Sequence, residues 1–289
     1  MHFVRAKGIL SARNGLNLYR GCLHGCIYCD SRSRCYHMTH DFEDIEVKEN
    51  AVELLEQALR RKRRKCMLGM GAMTDPYMPL EEEIGNVRKT LLLAYKYGFG
   101  ITLQTKSARV LRDIELLQAI NEKSKCVIQM TLTTYDEELC RKIEPNVSST
   151  RERLAALRLL QAAGIPTVVW LTPILPFIND TPENIRCILN ECAAAGVWGV
   201  ICFDMGLTLR EGNREYFYQQ LDKLFPGLKA KYVKTYGLRY QVNSHQNEPL
   251  MRLFHETCAQ KGLVHNNERI FTYLNTYEDK RQSVQPSLF

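Results

Sequence analysis

The most informative stretch of the chain is residues 17–29, which read NLYRGCLHGCIYC. Three cysteines fall within eight residues of this stretch, Cys22, Cys26 and Cys29, separated by three residues and then by two. Thiolates this close together in one loop can all bind the same soft metal centre. The spacing therefore predicts a metal site at residues 22–29.

Two kinds of metal centre fit this triplet. A structural zinc site needs four closed ligands, and the fourth is available from Cys35, His24, His37 or His40. A cubane iron–sulfur cluster has four irons, so three cysteines leave one iron with the open position that catalysis needs. The aromatic Tyr28 directly before the last cysteine favours the iron–sulfur interpretation.

The rest of the composition is that of an ordinary globular protein. The 289 residues are 45% hydrophobic and 25% charged, which excludes a disordered or fibrous chain. Eleven cysteines in a chain of this length do not fit a small disulfide scaffold, and they indicate a reducing cytoplasm. Residues 1–10 lack the apolar run of a secretory signal, and prolines interrupt the longest apolar windows, so we expect neither export nor a membrane span. The net charge of +7 is compatible with an anionic ligand or a nucleic acid but requires neither.

Past residue 50, short apolar runs alternate with amphipathic ones about every 30 residues. This alternation predicts an α/β fold with a parallel sheet and covering helices, as a barrel, a partial barrel or an open sheet. The predicted strands are 66–71, 99–105, 126–133, 167–171 and 197–203, and the predicted helices are 50–65, 81–97, 110–121, 149–164 and 181–195. After residue 210 the pattern is mainly helical, with helices at 213–224 and 248–260 around a tyrosine-rich connection at 232–240. We therefore expect a core domain at 1–210 and a C-terminal helical extension at 211–289 that packs on it.

The cysteine loop resembles that of the radical S-adenosylmethionine (SAM) enzymes, which reads C-x3-C-x-aromatic-C. Further motifs extend the resemblance to the spore photoproduct lyase-like branch of that superfamily, over about residues 14–206. They are TDPYMPLE at 74–81, Thr105-Lys106-Ser107, Glu144-Pro145 and Gly164-Ile165-Pro166.

The resemblance implies a partial (β/α)6 TIM-like barrel with the cluster loop at the carboxyl ends of its strands. Cys22, Cys26 and Cys29 would then bind three irons of a single [4Fe-4S] cluster, and SAM would chelate the fourth iron through its amino and carboxylate groups. One electron from a reductant such as flavodoxin or ferredoxin would cleave SAM to methionine and a 5′-deoxyadenosyl radical, which abstracts hydrogen from a substrate.

The resemblance also implies SAM contacts just after individual strands, where parallel α/β folds bind ligands. Thr74 and Asp75 lie where the family binds the amino group, often through a Gly-Gly-Glu segment that this sequence lacks. Asp75-Pro76 otherwise reads as a turn. Lys106 is expected to pair with the SAM carboxylate, and its alternative role is that of a solvated surface lysine.

Four further positions are expected to contact the nucleoside part of SAM. Strand alternation directs Thr131 and Thr133 to one face, towards the ribose, although threonine is also an ordinary strand residue. Ile174 and Tyr28 are expected to contact the adenine. The branch commonly has glycine near Phe177, so the sequence departs from the pattern there.

Two residues are predicted to act on the substrate. Cys35, six residues past the triplet, is a candidate for returning a hydrogen atom, and Asp204 ends the last predicted strand and is expected to face the substrate. The substrate itself stays open between a nucleic acid, as in a lyase or repair enzyme, and a peptide or small molecule. A non-catalytic zinc or iron–sulfur protein is the alternative function.

Overall fold

The computed structural model describes residues 1–280, and its main feature is a sheet of six parallel strands. In chain order the strands are β1 (His2–Val4), β2 (Gly15–Leu16), β3 (Tyr19–Arg20), β4 (Glu46–Lys48), β5 (Met67–Met70), β6 (Gly100–Thr105), β7 (Cys126–Thr131), β8 (Thr167–Trp170), β9 (Gly199–Ile201), β10 (Gly206–Thr208) and β11 (Gln241–Asn243). The helices are α1 (Ala51–Arg61), α2 (Glu81–Ile84), α3 (Asn86–Tyr97), α4 (Ile114–Lys123), α5 (Glu137–Ile143), α6 (Thr150–Ala162), α7 (Pro182–Ala194), α8 (Asn213–Leu224), α9 (Leu228–Tyr236), α10 (Asn247–Gln260) and α11 (Asn267–Asn275).

The central sheet follows the order of the chain, β2-β5-β6-β7-β8-β9, and every neighbouring pair is parallel. All six residues of β7 are buried, as expected for a parallel strand covered on both faces. Within residues 1–280, β2 and β9 do not pair with each other, so the sheet stays open at that point. This is the expected α/β fold class with a partial (β/α)6 barrel.

Local signals in the sequence account for the starts of two helices. Ser149 and Glu152 form the expected capping box at the start of α6, and Thr181 caps α7 with Pro182 in its first turn. The helix predicted at 81–97 is instead two helices, because Gly85 takes a left-handed conformation with φ of 67° between α2 and α3. The helix predicted at 50–65 is also shorter than expected. It is α1, which ends at Arg61, so most of the basic residues at 60–65 lie beyond the helix.

Several elements were not predicted. β1, β4 and β3 form a small second sheet, and β10 pairs with β11 in an antiparallel hairpin. Strands of two or three residues are too short to show a hydrophobic period, which explains why the sequence did not reveal them. The prediction of a tyrosine-rich connection at 232–240 was wrong in part, because the first half of this segment lies in α9.

The C-terminal elements pack on the core in two places. α10 lies against α7, and α11 lies against β9. The chain before α11 also extends the sheet, since Val264 accepts a hydrogen bond from Val200 at 2.8 Å and donates one to Trp198 at 3.1 Å. The boundary at residue 210 stays a prediction, and residues 281–289 of the expected extension lie outside the described residues. None of the helices within residues 1–280 combines the length and apolar character that crossing a membrane requires.

Candidate active site

A cavity of about 530 Å3 opens at the carboxyl ends of the central strands. Each strand from β5 to β9 contributes a residue at or just past its end: Gly71, Lys106, Thr131, Trp170 and Phe203. This is the edge of a parallel sheet at which ligands bind in α/β folds. The site therefore lies where the order of the strands predicts it.

All three cysteines of the triplet line this cavity. Their loop is fixed to the protein at both ends: the Cys22 amide donates to the Phe42 carbonyl at 3.1 Å, and the Ile27 amide donates to the Ile143 carbonyl at 3.0 Å. Gly21 is required at the first of these points, because its φ is 85° and a Cβ there would lie 2.4 Å from the Phe42 oxygen. The loop is thus held in place by backbone contacts.

The spacing of the sulfurs separates the two metal interpretations. Around one zinc ion with bonds of about 2.3 Å, thiolate sulfurs lie about 3.8 Å apart. Within residues 1–280, the only three His, Cys, Asp or Glu ligand atoms that lie within 4.8 Å of one another belong to His2, His40 and Asp44. The three cysteine sulfurs thus do not all lie within 4.8 Å of one another, which is a wider spacing than one zinc ion requires, whereas in a cubane each sulfur binds a different iron. The donor set fits a [4Fe-4S] cluster.

Burial keeps the Cys22 and Cys26 thiols protonated. It raises the pKa of Cys22 to about 12, and it raises the pKa of Cys26 well above its usual value although the Lys106 charge opposes this. Cluster binding has to displace these protons, because metal ligands are thiolates.

Tyr28, the aromatic residue of the motif, is tied to a fully buried ion pair. Its hydroxyl donates to Glu144, and Arg153 donates to the other Glu144 oxygen at 2.7 Å. The Glu144 and Arg153 side chains are both 0% exposed. Burial alone would raise the pKa of Glu144, but the charges of Arg153 and Lys106 and the hydrogen bonds from Tyr28 and Arg153 together outweigh it, so the pKa lies below its usual value. Arg153 also donates to the Thr131 carbonyl at 2.7 Å, which connects the cluster loop to the end of β7.

Asp75 lines the cavity, but protein groups already occupy its carboxylate. One oxygen accepts the Tyr77 amide at 2.9 Å and the Thr105 hydroxyl at 2.7 Å, and the other accepts the Lys106 amide at 2.7 Å. His24 Nε2 of the cluster loop lies 3.1 Å from that second oxygen. Burial raises the pKa of Asp75, yet His24 and the hydrogen bonds bring it below its usual value. Asp75 therefore links the cluster loop to the end of β6 as an anion.

Two of the predicted SAM contacts have free polar groups at the cavity. The Lys106 ammonium lies 5.7 Å from the centre of the Tyr28 ring, and both residues line the cavity. Thr131 also lines it, and the Thr131 hydroxyl is buried with no hydrogen-bond partner among residues 1–280. A buried hydroxyl without a partner costs free energy, so this atom is suited to a ligand.

The other three predicted SAM contacts lie behind the cavity wall. Thr74 donates its hydroxyl to the Tyr19 carbonyl at 3.3 Å. Thr133 is fully buried beyond the end of β7, so strand alternation does not direct it to the face of Thr131. Ile174 is 0% exposed and belongs to the apolar core.

The two candidates for substrate chemistry differ in position. Asp204 lines the cavity, where Gln241 and Asn247 donate to its carboxylate at 2.9 and 3.0 Å. Cys35 is exposed on a 3-10 turn, and Arg210, which does line the cavity, donates to its sulfur at 3.3 Å.

The sequence missed the wall that the hairpin forms. Arg210, Tyr240, Gln241 and Asn243, in or next to β10 and β11, all line the cavity. Arg210 donates to the Tyr240 hydroxyl at 2.8 Å, and the Asn243 side-chain oxygen is buried with no partner among the described residues. No spacing rule connects residues 30 positions apart, and only the pairing of the two strands brings them together.

Arg153 was missed for a different reason, although a signal was present. On α6 it shares the buried face with Thr150, Leu154 and Leu157, and a cation at such a position requires a buried carboxylate.

Comparison with known proteins identifies the family of the chain. The family model described as the radical SAM superfamily matches residues 16–186. An uncharacterised protein of Mycobacterium tuberculosis is 30% identical over 238 residues, covering 78% of this chain and 68% of that protein. A radical SAM Nα-GlyT isomerase of Pseudomonas phage M6 is 24% identical over 272 residues, covering 90% of this chain and 52% of that protein.

Solved structures show the same fold. A spore photoproduct lyase superimposes with a TM-score of 0.67 at 17% identity, covering 91% of this chain and 80% of that chain. The radical SAM methyltransferase TsrM of Kitasatospora setae gives a TM-score of 0.52 at 14% identity, covering 71% of this chain and 36% of that chain. With a family match over more than half of its length, the chain belongs to the radical SAM superfamily, whose enzymes use a [4Fe-4S] cluster and SAM.

Proposed function

We propose that the protein binds one [4Fe-4S] cluster through Cys22, Cys26 and Cys29 and uses it to cleave SAM reductively. The observation that carries the proposal is the placement of all three thiols, which do not all lie within 4.8 Å of one another, in the wall of the cavity at the carboxyl ends of the strands. When bound, the cluster and SAM supply a 5′-deoxyadenosyl radical that abstracts hydrogen from the substrate.

The cavity residues orient SAM. Lys106 pairs its ammonium with the SAM carboxylate, Thr131 gives its unpartnered hydroxyl to the ribose, and Tyr28 packs near the adenine. Because its lone pairs are occupied, Asp75 attracts the SAM amino group by charge and acts mainly by fixing His24 and Lys106. Thr74, Thr133 and Ile174 support the cavity wall from behind.

A nucleic acid or a nucleotide-like molecule is the substrate. Phe203 and Tyr240 at the cavity are 53% and 49% exposed, which gives planar faces on which a base stacks. Arg210, also at the cavity, gives a cation for a phosphate, and Asp204 lies within the same wall. One similar protein carries a name that agrees with this class, a spore photoproduct lyase complexed with a dinucleoside spore photoproduct.

The protein acts in a reducing cytoplasm with an electron donor such as flavodoxin or ferredoxin. The eleven cysteines are all free within the structure, which agrees with such a compartment.

The first test is anaerobic reconstitution with iron and sulfide, followed by addition of dithionite and SAM. We expect about four irons per chain, a brown colour, and release of 5′-deoxyadenosine and methionine. Cys26→Ala should abolish both the cluster and the products, whereas Cys187→Ala, a half-buried cysteine outside the cavity, should leave them unchanged. One zinc per chain in a colourless protein, or an intact cluster that releases no 5′-deoxyadenosine, would refute the proposed enzyme activity.

The second test addresses the substrate through fluorescence anisotropy of labelled single-stranded and duplex oligonucleotides. Binding that weakens with salt in wild type, and that Phe203→Ala and Arg210→Met both reduce, supports a nucleic acid. Equal binding by wild type and these variants, or none, favours a peptide or another small molecule.

A further inference from the structure

A second cluster of metal-ligating side chains lies outside the cavity. His2 of β1, and His40 and Asp44 of the connection that leads into β4, bring their ligand atoms within 4.8 Å of one another. His2 Nδ1 lies 2.9 Å from Asp44 Oδ2, and the two imidazole rings meet edge to face with their centres 4.8 Å apart. Ligands about 2.05 Å from a tetrahedral ion are about 3.3 Å apart, so small side-chain movements suffice to enclose one.

The second observation is the state of His40. Its Nδ1 lies 3.0 Å from the Asp41 carbonyl, which fixes the proton on that nitrogen and leaves Nε2 with its lone pair. That Nε2 is buried and has no hydrogen-bond partner within residues 1–280. A histidine that donates one ring nitrogen to a backbone carbonyl while the other is free is the usual arrangement of a metal ligand.

Charge around the cluster also favours a cation. Glu46 Oε2 lies 3.7 Å from His40 Nε2, so a second carboxylate borders the group. The opposing charges are the Met1 amino group, which lies 2.9 Å from Asp44 Oδ1 and leaves Oδ2 facing His2, and Lys48, which interacts with the Glu46 charge. The geometry points to a site for one divalent transition-metal ion of the zinc type, bound by His2, His40 and Asp44, with Glu46 or water as the fourth ligand. Binding through His2 Nδ1 moves the proton that this nitrogen shares with Asp44 to Nε2 of the same ring.

Such an ion would stiffen the support of the cluster loop. Phe42, which lies between His40 and Asp44, holds the Cys22 amide through its carbonyl at 3.1 Å. The same connection is tied to β1 by the His2 amide, which donates to the Ile45 carbonyl at 3.0 Å. The ion would close this connection onto β1 from its other side, and its role is therefore structural.

Zn2+ binding to untagged, metal-free protein tests the inference without the iron–sulfur cluster. The protein carries Cys22→Ala, Cys26→Ala and Cys29→Ala, so zinc cannot bind to the triplet. We expect one Zn2+ per chain by competition with a chromogenic chelator, and a rise in melting temperature on addition of Zn2+. His40→Ala and Asp44→Asn should each remove both effects, and His37→Ala, an exposed histidine outside the group, should retain them.

Co2+ in place of Zn2+ gives a test in the chain with all its cysteines. A tetrahedral visible spectrum that His40→Ala removes, without any loss of the thiolate-to-metal bands, supports the site. The inference is overturned if His40→Ala and Asp44→Asn bind the ion as wild type does, or if no ion binds once the triplet is gone. Neither result affects the proposed reaction, because that reaction is tested separately by the iron content of the reconstituted protein and by release of 5′-deoxyadenosine.

Discussion

Replacing Arg153 by methionine should destabilise the protein more than any ordinary surface change. The substitution keeps the length and the apolar contacts of the side chain but leaves the Glu144 carboxylate, 0% exposed, without its cation. Removing one partner of a buried ion pair costs about 3–5 kcal/mol. The Thr131 carbonyl loses a hydrogen bond of 2.7 Å at the same time. We therefore expect a loss near the upper end of that range, a large part of the 5–15 kcal/mol that holds a typical domain together.

Urea unfolding of the iron-free protein, followed by circular dichroism, measures this loss. With a slope of about 3 kcal/mol per molar urea, the midpoint should fall by about 1 M or more. The matched control is Arg158→Met on the same helix, because Arg158 pairs with Glu191 at the surface with side chains 48% and 30% exposed. That change should cost less than about 1 kcal/mol. The double variant Glu144→Gln/Arg153→Met should lose less than the sum of its two single changes, since no charge is then left buried.

The difference between wild type and Arg153→Met should also depend on pH. Because the pKa of Glu144 is lowered in the folded protein, the pair stabilises wild type above about pH 4.3, and this contribution is lost as the pH falls through the folded pKa. In the variant, burial without the Arg153 charge raises the pKa of Glu144. Protonation at low pH therefore removes the free-energy cost of the unpaired buried carboxylate. The two unfolding free energies should therefore converge below about pH 4. The reasoning is refuted if Arg153→Met is no more destabilising than Arg158→Met, or if its deficit is the same at pH 7 and pH 4.

Three further outcomes can be measured. Gly21→Ala should cost at least about 1 kcal/mol in urea unfolding and lower the iron content, because its Cβ would meet the Phe42 oxygen, whereas Gly8→Ala has open space around it and should change neither. Lys106→Met should weaken SAM binding about 10- to 100-fold in equilibrium dialysis, as expected for loss of about 1.5–3 kcal/mol from a charged contact, and unchanged affinity would contradict its role. Thr131→Val should weaken the same binding by about 2- to 10-fold without lowering the unfolding free energy, because its hydroxyl has no protein partner to lose among residues 1–280.

The parts of the fold that the sequence predicted are those with strong local signals. The capping box at Ser149 and the proline at the start of α7 fixed two helix ends, and the apolar runs located β5 to β9. The cysteine triplet identified three residues that line the cavity, because its members are neighbours in the chain. A short strand such as β10 carries no such signal, and its partner lies more than 30 residues further on.

The limits of the site prediction have the same physical origin. Alternation placed Thr131 at the cavity, but it failed for Thr133 because the strand ends before that residue. Asp75 was identified by type and position, yet the sequence did not reveal that three hydrogen-bond donors and His24 already surround its carboxylate. Those partners come from different strand ends and from the cluster loop, and only the fold brings them together.

The open edge of the central sheet has a consequence for solubility. Strand β9 would expose unpaired backbone groups along that edge, and such an edge is a template for pairing with other chains. The hydrogen bonds that Val264 exchanges with Val200 and Trp198 cover it. The segment before α11 thus protects the edge of the sheet from pairing with other chains. A chain shortened before residue 264 would keep its cysteine loop but expose the edge of β9, and it should aggregate more readily.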